Sequence, residues 1–350
     1  MRFLAAFLGV LAALGILYAA AARLVDPHGD FGTGVFPVIN MDARAQKMQL
    51  FREALATTAP EGLILGSSRA MKVRPRTLEA ATGRRFFNFA VDNARAEDYL
   101  AIYRWVREQR VRVRFLVIGL DVEALHSDDR PEADLIRNDA LMRTLAEGTL
   151  REPGLLAPVR KYPLAALVKK YKATFTIEYA SDTVRALRLA ARPGSQPLPM
   201  MEFEPDGYLR YRRWEVERAA GTFRFDQDLE RCLTKYLNRF DSMTELSGRR
   251  RAYLRQVVDE ALADGARVLI WITSLHPLTT HYLEAHTSYG ALLEATREYE
   301  QAIKRSRDVA IYDFSAPESY DGTPFGWYDC AHIDESNANL VAAALAREMR

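Results

Sequence analysis

The apolar and polar positions along the chain change period three times. Phe3 to Ala22 carry no charge at all, and about 20 apolar residues in helical form match the thickness of a bilayer's hydrocarbon core. Arg2 and the free amine precede the run, while Asp26 and Asp30 follow it. Despite Arg23, that asymmetry predicts that the bulk of the chain lies outside the cytoplasm. Ala19 to Ala22 also suit a signal-peptidase site, but the length of the run favours an uncleaved anchor over residues 1–24. Residues 25–40, with Pro27, Gly29, Gly32, Gly34 and Pro37, read as a linker leaving the membrane.

From residue 41 onwards, short apolar runs alternate with helical patterns. The runs are Gly62–Leu65, Arg85–Ala90, Phe115–Leu120, Val268–Thr273 and Val309–Phe314. They are apolar almost throughout, as strands covered on both faces must be. Helical periodicity marks Ala43–Thr57, Glu97–Gln109, Arg251–Asp264 and Ala291–Ser306. This alternation predicts a parallel sheet with right-handed crossovers, in an α/β domain over residues 41–350. One crossover, residues 123–248, is far too long for a single helix. It contains helical patterns at Pro131–Glu147, Pro163–Lys172 and Ser181–Ala191, then a Pro/Gly stretch, Arg192–Pro199. An aromatic segment, Phe203–Tyr211, follows, with a turn signal at Asp206-Gly207. The region is expected to cap one end of the sheet.

Composition adds limits. A net charge of +2 with no basic aromatic-interleaved cluster predicts no nucleic-acid partner. Arg249-Arg250-Arg251 reads as a solvated helix start. The six histidines lack metal-ligand spacing, so neither a metal nor a cofactor is expected. Cys232 and Cys330 are the only cysteines, and two so far apart establish no pairing.

Two motifs carry candidate chemistry. Leu63-Ile64-Leu65-Gly66-Ser67-Ser68-Arg69 runs a buried strand into a turn that presents a serine. Asp329-Cys330-Ala331-His332 places a carboxylate and an imidazole three residues apart, ahead of a helix opened by Asp334. Together they supply a serine, a base to activate it and a carboxylate to orient that base. Gly66 allows the turn. Arg69 has two open readings: binding an anionic sugar or phosphate, or pairing structurally with Asp92 or Asp121. His276, just after the fourth strand, either lines the cleft at the carboxyl edge of the sheet or is a turn residue. The segment around Asp206-Gly207-Tyr208 reads as hairpin packing rather than a glycan platform.

These blocks resemble the SGNH (GDSL-like) hydrolase superfamily. The resemblance covers residues 62–70, 86–94, 115–121 and 329–340, and little of the insertion. It is greatest to membrane-anchored members similar to the D-alanyl-lipoteichoic acid transfer and alginate O-acetylation proteins. It implies a three-layer α/β/α sandwich with a parallel flavodoxin-like sheet, an N-terminal transmembrane helix and a helical insertion. It also implies Ser68 as nucleophile, with Asp329 and His332 as its partners. Asn93 stands where the family has an oxyanion glycine, and Asn tolerates the left-handed turn needed there. The third block reads Gly119-Leu120-Asp121 without the family's asparagine, and one missing oxyanion donor costs about 10²–10³ in rate.

The function expected from this resemblance is a cell-envelope acyl-ester enzyme, an O-acetyltransferase or esterase acting on a surface polysaccharide. A membrane-bound O-acyltransferase is the implied partner. The implied location is a bacterial-type inner membrane, single-pass, with the soluble domain on the periplasmic side. The alternatives are a non-catalytic glycan-binding scaffold of a polysaccharide modification or export complex, and a lipid-directed esterase.

Overall fold

The computed structural model describes residues 2–29, 31–33, 35–39, 42–128, 130–148, 171–172, 174–192 and 201–349. The predicted helix at Pro163–Lys172 and the Pro/Gly stretch Arg192–Pro199 lie almost wholly outside these residues, as do Asp30 and Gly34.

In chain order the elements are α1 (Arg2–Val25), α2 (Ala43–Thr57), β1 (Gly62–Gly66), α3 (Pro75–Thr82), β2 (Phe86–Asn88), α4 (Ala96–Glu108) and β3 (Phe115–Leu120). Within the insertion come α5 (Ala133–Arg137), α6 (Asp139–Gly148), α7 (Ile177–Ala191), β4 (Glu202–Phe203), β5 (Leu209–Arg210), α8 (Arg212–Ala219) and α9 (Phe225–Asp241). The chain then completes the domain with α10 (Gly248–Ala263), β6 (Arg267–Ile272), α11 (Pro277–His286), α12 (Tyr289–Ser306), β7 (Val309–Asp313) and α13 (Glu335–Arg347).

The five long-range strands form one parallel sheet in the order β2-β1-β3-β6-β7. Every residue of β1 is buried, which explains its unbroken apolar run. The chain moves outward from β1 to β2, then doubles back past β1 to β3. With right-handed crossovers, that reversal puts α3 and α4 on opposite faces and leaves a crevice at the carboxyl ends of β1 and β3. α3 packs against α13, and α4 against α10. Ser67 and Ser68 leave β1 into that crevice.

Local chemistry sets the helix ends. Asp42 caps α2 through Ala45 N (3.2 Å), and Ser247 caps α10 through Arg250 N (3.2 Å). The predicted helix Pro131–Glu147 is two helices, because the Asn138 side chain accepts from Leu141 N (3.1 Å) and starts a new one. The turn expected at Asp206-Gly207 joins β4 and β5 as an antiparallel pair.

One expectation needs correction. Arg249–Arg251 does open a helix, but Arg250 is not solvated. It is fully buried, 3.0 Å from Glu97, and donates to the carbonyls of His126 and Arg130. Where residues 25–40 are described, Asp26 accepts from Phe31 N and Thr33 N, and His28 lies 2.9 Å from Asp182 of α7.

Among the described residues α1 alone is long and apolar enough to cross a membrane. Its 24 residues span about 36 Å at 1.5 Å per residue.

Candidate active site

The turn after β1 separates two serines with different fates. Gly66 takes φ 152°, and a Cβ there would meet Ala70 Cβ at 2.5 Å and Gly119 O at 2.9 Å. Only glycine fits this corner, so Gly66 shapes the turn that presents Ser68. Ser67 is buried and turned toward Asp121. Ser68 is half-buried, with its hydroxyl facing the cavity.

At the other end of the chain, Asp334 caps α13 by accepting from Ser336 N (2.9 Å), which fixes the preceding loop. In that loop Asp329 accepts from Ala331 N and His332 N, each at 2.8 Å. The same carboxylate lies 2.8 Å from His332 Nδ1. His332 Nε2 lies 2.9 Å from Ser68 Oγ. The three residues chosen from sequence are therefore joined across 264 residues of chain. With Nδ1–H donated to Asp329, Nε2 is the acceptor that a serine hydroxyl requires. Burial alone would raise the Asp329 carboxyl, but the His332 ring and the two backbone N–H groups outweigh it and hold it below the usual carboxylate range.

Asn93 adopts the expected left-handed conformation, φ 48°. Neither its N–H nor that of Ser68 has a hydrogen-bond partner among the described residues. A recess of about 10 Å³, the size of one water, is lined by Ser68 and Asn93 together with Ser67, Asp121, Glu123 and Arg239. The Asn93 side-chain oxygen accepts from Arg239 (3.0 Å), which fixes its amide.

Two other candidates do not reach the cavity. Arg69 is buried across the carboxyl ends of β3 and β6, where it donates to Glu123 and to Thr273 Oγ1 (3.1 Å) and lies 3.7 Å from Asp121. Asp92, its alternative partner, instead lies beside Arg44 and His332. His276 is the buried N-cap of α11. It accepts from Leu278 N (3.2 Å) and pairs with the Pro324 carbonyl (3.1 Å). The physical reasons are local: the carboxylates that follow β3 take up the Arg69 guanidinium, and the His276 ring caps its own helix.

A cavity of about 740 Å³ joins Ser68, Asp92, Asn93, Asp329 and His332 to the insertion. Tyr211 and Trp214 stand against the His332 ring, centroids 5.6 and 6.2 Å away. Helix α9 contributes Asp228, Arg231, Lys235 and Arg239, spaced three or four apart along one helical face, and Tyr236 beside them. That spacing was the available sequence signal for a wall the motifs did not reveal. Burial raises the Asp92 carboxyl, while Arg44 and His332 oppose the rise. Cys232 of α9 is bonded to Cys330, inside the Asp329–His332 loop, with Cα atoms 5.5 Å apart. No protein-family model matches the chain, and no curated protein shows significant similarity to it.

Proposed function

We propose that the chain is a serine-dependent acyl-ester enzyme of the cell envelope, with an SGNH-type sandwich. In this reading it transfers acyl groups to, or removes them from, a surface polysaccharide. The observation that carries the reading is the continuous Ser68–His332–Asp329 hydrogen-bond chain opening onto a large cavity. Ser68 Oγ attacks the acyl carbonyl as its proton passes to His332 Nε2. Asp329 holds the imidazolium, and the N–H groups of Ser68 and Asn93 face the developing oxyanion. Collapse breaks the ester bond, and His332 returns the proton to the departing alcohol. Water or a sugar hydroxyl then takes the acyl group from Ser68 by the same steps reversed.

The helix α1 supports an anchored protein, and the Cys232–Cys330 bond suits an oxidising, extracytoplasmic compartment. The mixed charges around the cavity, Arg231 and Lys235 against Asp92 and Asp228, suit a polar acceptor such as a glycan. A membrane-bound O-acyltransferase would be the natural supplier of acyl groups. One observation favours a non-catalytic glycan-binding scaffold instead. The third block offers the cavity no amide, because Asp121 is buried against Ser67, Thr273 and Arg69.

A fluorophosphonate probe applied to the full chain in detergent separates the two. Adduct on Ser68 that is lost in His332→Ala supports the enzyme. Absence of adduct on a chain with native circular dichroism supports the scaffold.

A further inference from the structure

The outer half of α1 is not surrounded by lipid on all sides. Gly15, Tyr18 and Ala19 are half-buried, and Ala22 and Val25 are buried, a stripe at helical spacing. Part of what covers the stripe is the insertion. The Tyr18 hydroxyl donates to the Thr174 carbonyl, and its ring lies 5.3 Å from that of Phe175. Arg23 donates to the Tyr171 hydroxyl (3.2 Å), and His28 packs on Tyr179 (4.6 Å).

Tyr18 stands five residues inside Arg23, the charge that closes the apolar run. At 1.5 Å per residue the Tyr18–Phe175 contact is about 7–8 Å below that boundary, the depth reached by interfacial helices. Here the insertion leaves large apolar side chains uncovered. Phe175 is 56% exposed and Ile177 is 91% exposed, with Val184 and Leu187 continuing the Ile177 stripe along α7. Arg185 is exposed beside this stripe and Arg188 is exposed within it, one turn beyond Val184, where a long side chain can lie along the apolar face with its charge at the phosphates.

We propose that Phe175 and α7 form a second membrane contact, in which lipid covers Phe175, Ile177, Val184 and Leu187. The inference rests on α1 spanning the bilayer. Lipid is the occupant because the face is continuous with α1. Whatever surrounds Tyr18 at that depth also surrounds Phe175. The consequence reaches the active site. His28 and Glu178, the residues beside this contact, also line the Ser68 cavity, so the cavity opens at the headgroup layer and takes a substrate presented there.

The test is depth-dependent quenching of the full-length chain in two sets of vesicles of phosphatidylcholine and phosphatidylglycerol, with acyl chains brominated near the headgroup in one and near the methyl ends in the other. Single tryptophans are added at Ile177, at Leu11 of α1 and at Phe325, which is 89% exposed in the loop ahead of Asp329. The four native tryptophans are buried and set the baseline. Bromination is expected to remove most of the added emission from Ile177→Trp and Leu11→Trp, and none from Phe325→Trp. Full emission from Ile177→Trp with quenching of Leu11→Trp overturns the second contact and leaves the anchor standing. Full emission from both overturns the anchor and the contact together.

Discussion

Arg69 gives the sharpest test of which charges build the site and which use it. The arginine is 5% exposed, and it faces two carboxylates that are as deeply buried, Glu123 and Asp121. Arg69→Met removes the cation and keeps much of the volume. Stripping one partner from a buried charge cluster costs about 3–5 kcal/mol. Arg239 remains 3.6 Å from Glu123, and Thr273 and Ser67 still donate to Asp121, so the lower end, about 3 kcal/mol, is expected. The pH dependence carries a sign. Burial would raise the Glu123 carboxyl, but Arg69 and Arg239 outweigh it and hold it at about 2. Its folded value is thus below its unfolded value. Its stabilisation is complete above about pH 4.5 and is lost as pH falls towards about 2. Without Arg69, burial dominates both carboxyls, the folded state binds protons more readily, and the variant gains stability on acidification. The deficit against the unsubstituted chain should therefore be largest near neutrality and shrink below about pH 4. Urea unfolding of the full chain in detergent, followed by tryptophan emission, measures it. Adding Glu123→Gln and Asp121→Asn should recover part of the loss. A deficit under about 1 kcal/mol at neutral pH, or one independent of pH, would refute the structural assignment.

Other perturbations test neighbouring claims. Replacing Cys232 and Cys330 with alanine opens a loop of 98 residues and should cost about 4–5 kcal/mol by chain entropy; an unchanged denaturation midpoint would mean the bond is absent in the folded protein. Glu300 is buried with an unpaired oxygen, and burial followed by Asp313 raises its carboxyl despite Arg297. Its folded value lies above its unfolded one, so it costs stability once pH exceeds the unfolded value. Glu300→Gln should therefore raise the melting temperature at neutral pH and leave it unchanged near pH 3. Gly66→Ala should destabilise by about 2–3 kcal/mol, since a methyl at φ 152° meets Ala70 and Gly119; a melting temperature within error of the parent would show that the corner relaxes freely.

What the sequence made legible follows from where the physics is local. The strands stood out because burial on both faces writes a continuous apolar run, and β3 matches its expected span, Phe115–Leu120, end for end. Ser68, Asp329 and His332 stood out because each occupies a fixed address, just after a strand or just before a capped helix. Side-chain direction at those addresses was not legible. Ser68 and Arg69 are neighbours in sequence, yet one faces the cavity and the other is buried against the carboxylates that follow β3. His276 shared the carboxyl edge but turned inward to cap its own helix. The insertion wall was hidden for a different reason. The spacing along α9 marks a face, but that this face and Trp214 meet Ser68 depends on packing between distant segments, which no local pattern encodes.

The insertion is more than a lid, because the loop carrying His332 is held by it at three points. Cys330 is bonded to α9. Arg218 of α8 donates to Asp334 (2.6 Å), the residue that caps α13. Trp214 stacks on Tyr328 at 5.0 Å with planes 16° apart. None of these ties touches Ser68, which is set by β1 and its turn. One half of the hydrogen-bond chain thus belongs to the sheet, and the other half is positioned by residues 211–232. A lid can be removed and leave its active site assembled. Removing this insertion would instead release Asp329 and His332 from their register with Ser68. The same insertion carries α7 against α1. The helix that packs on α1 and the residues that position His332 are therefore built into one crossover of the fold.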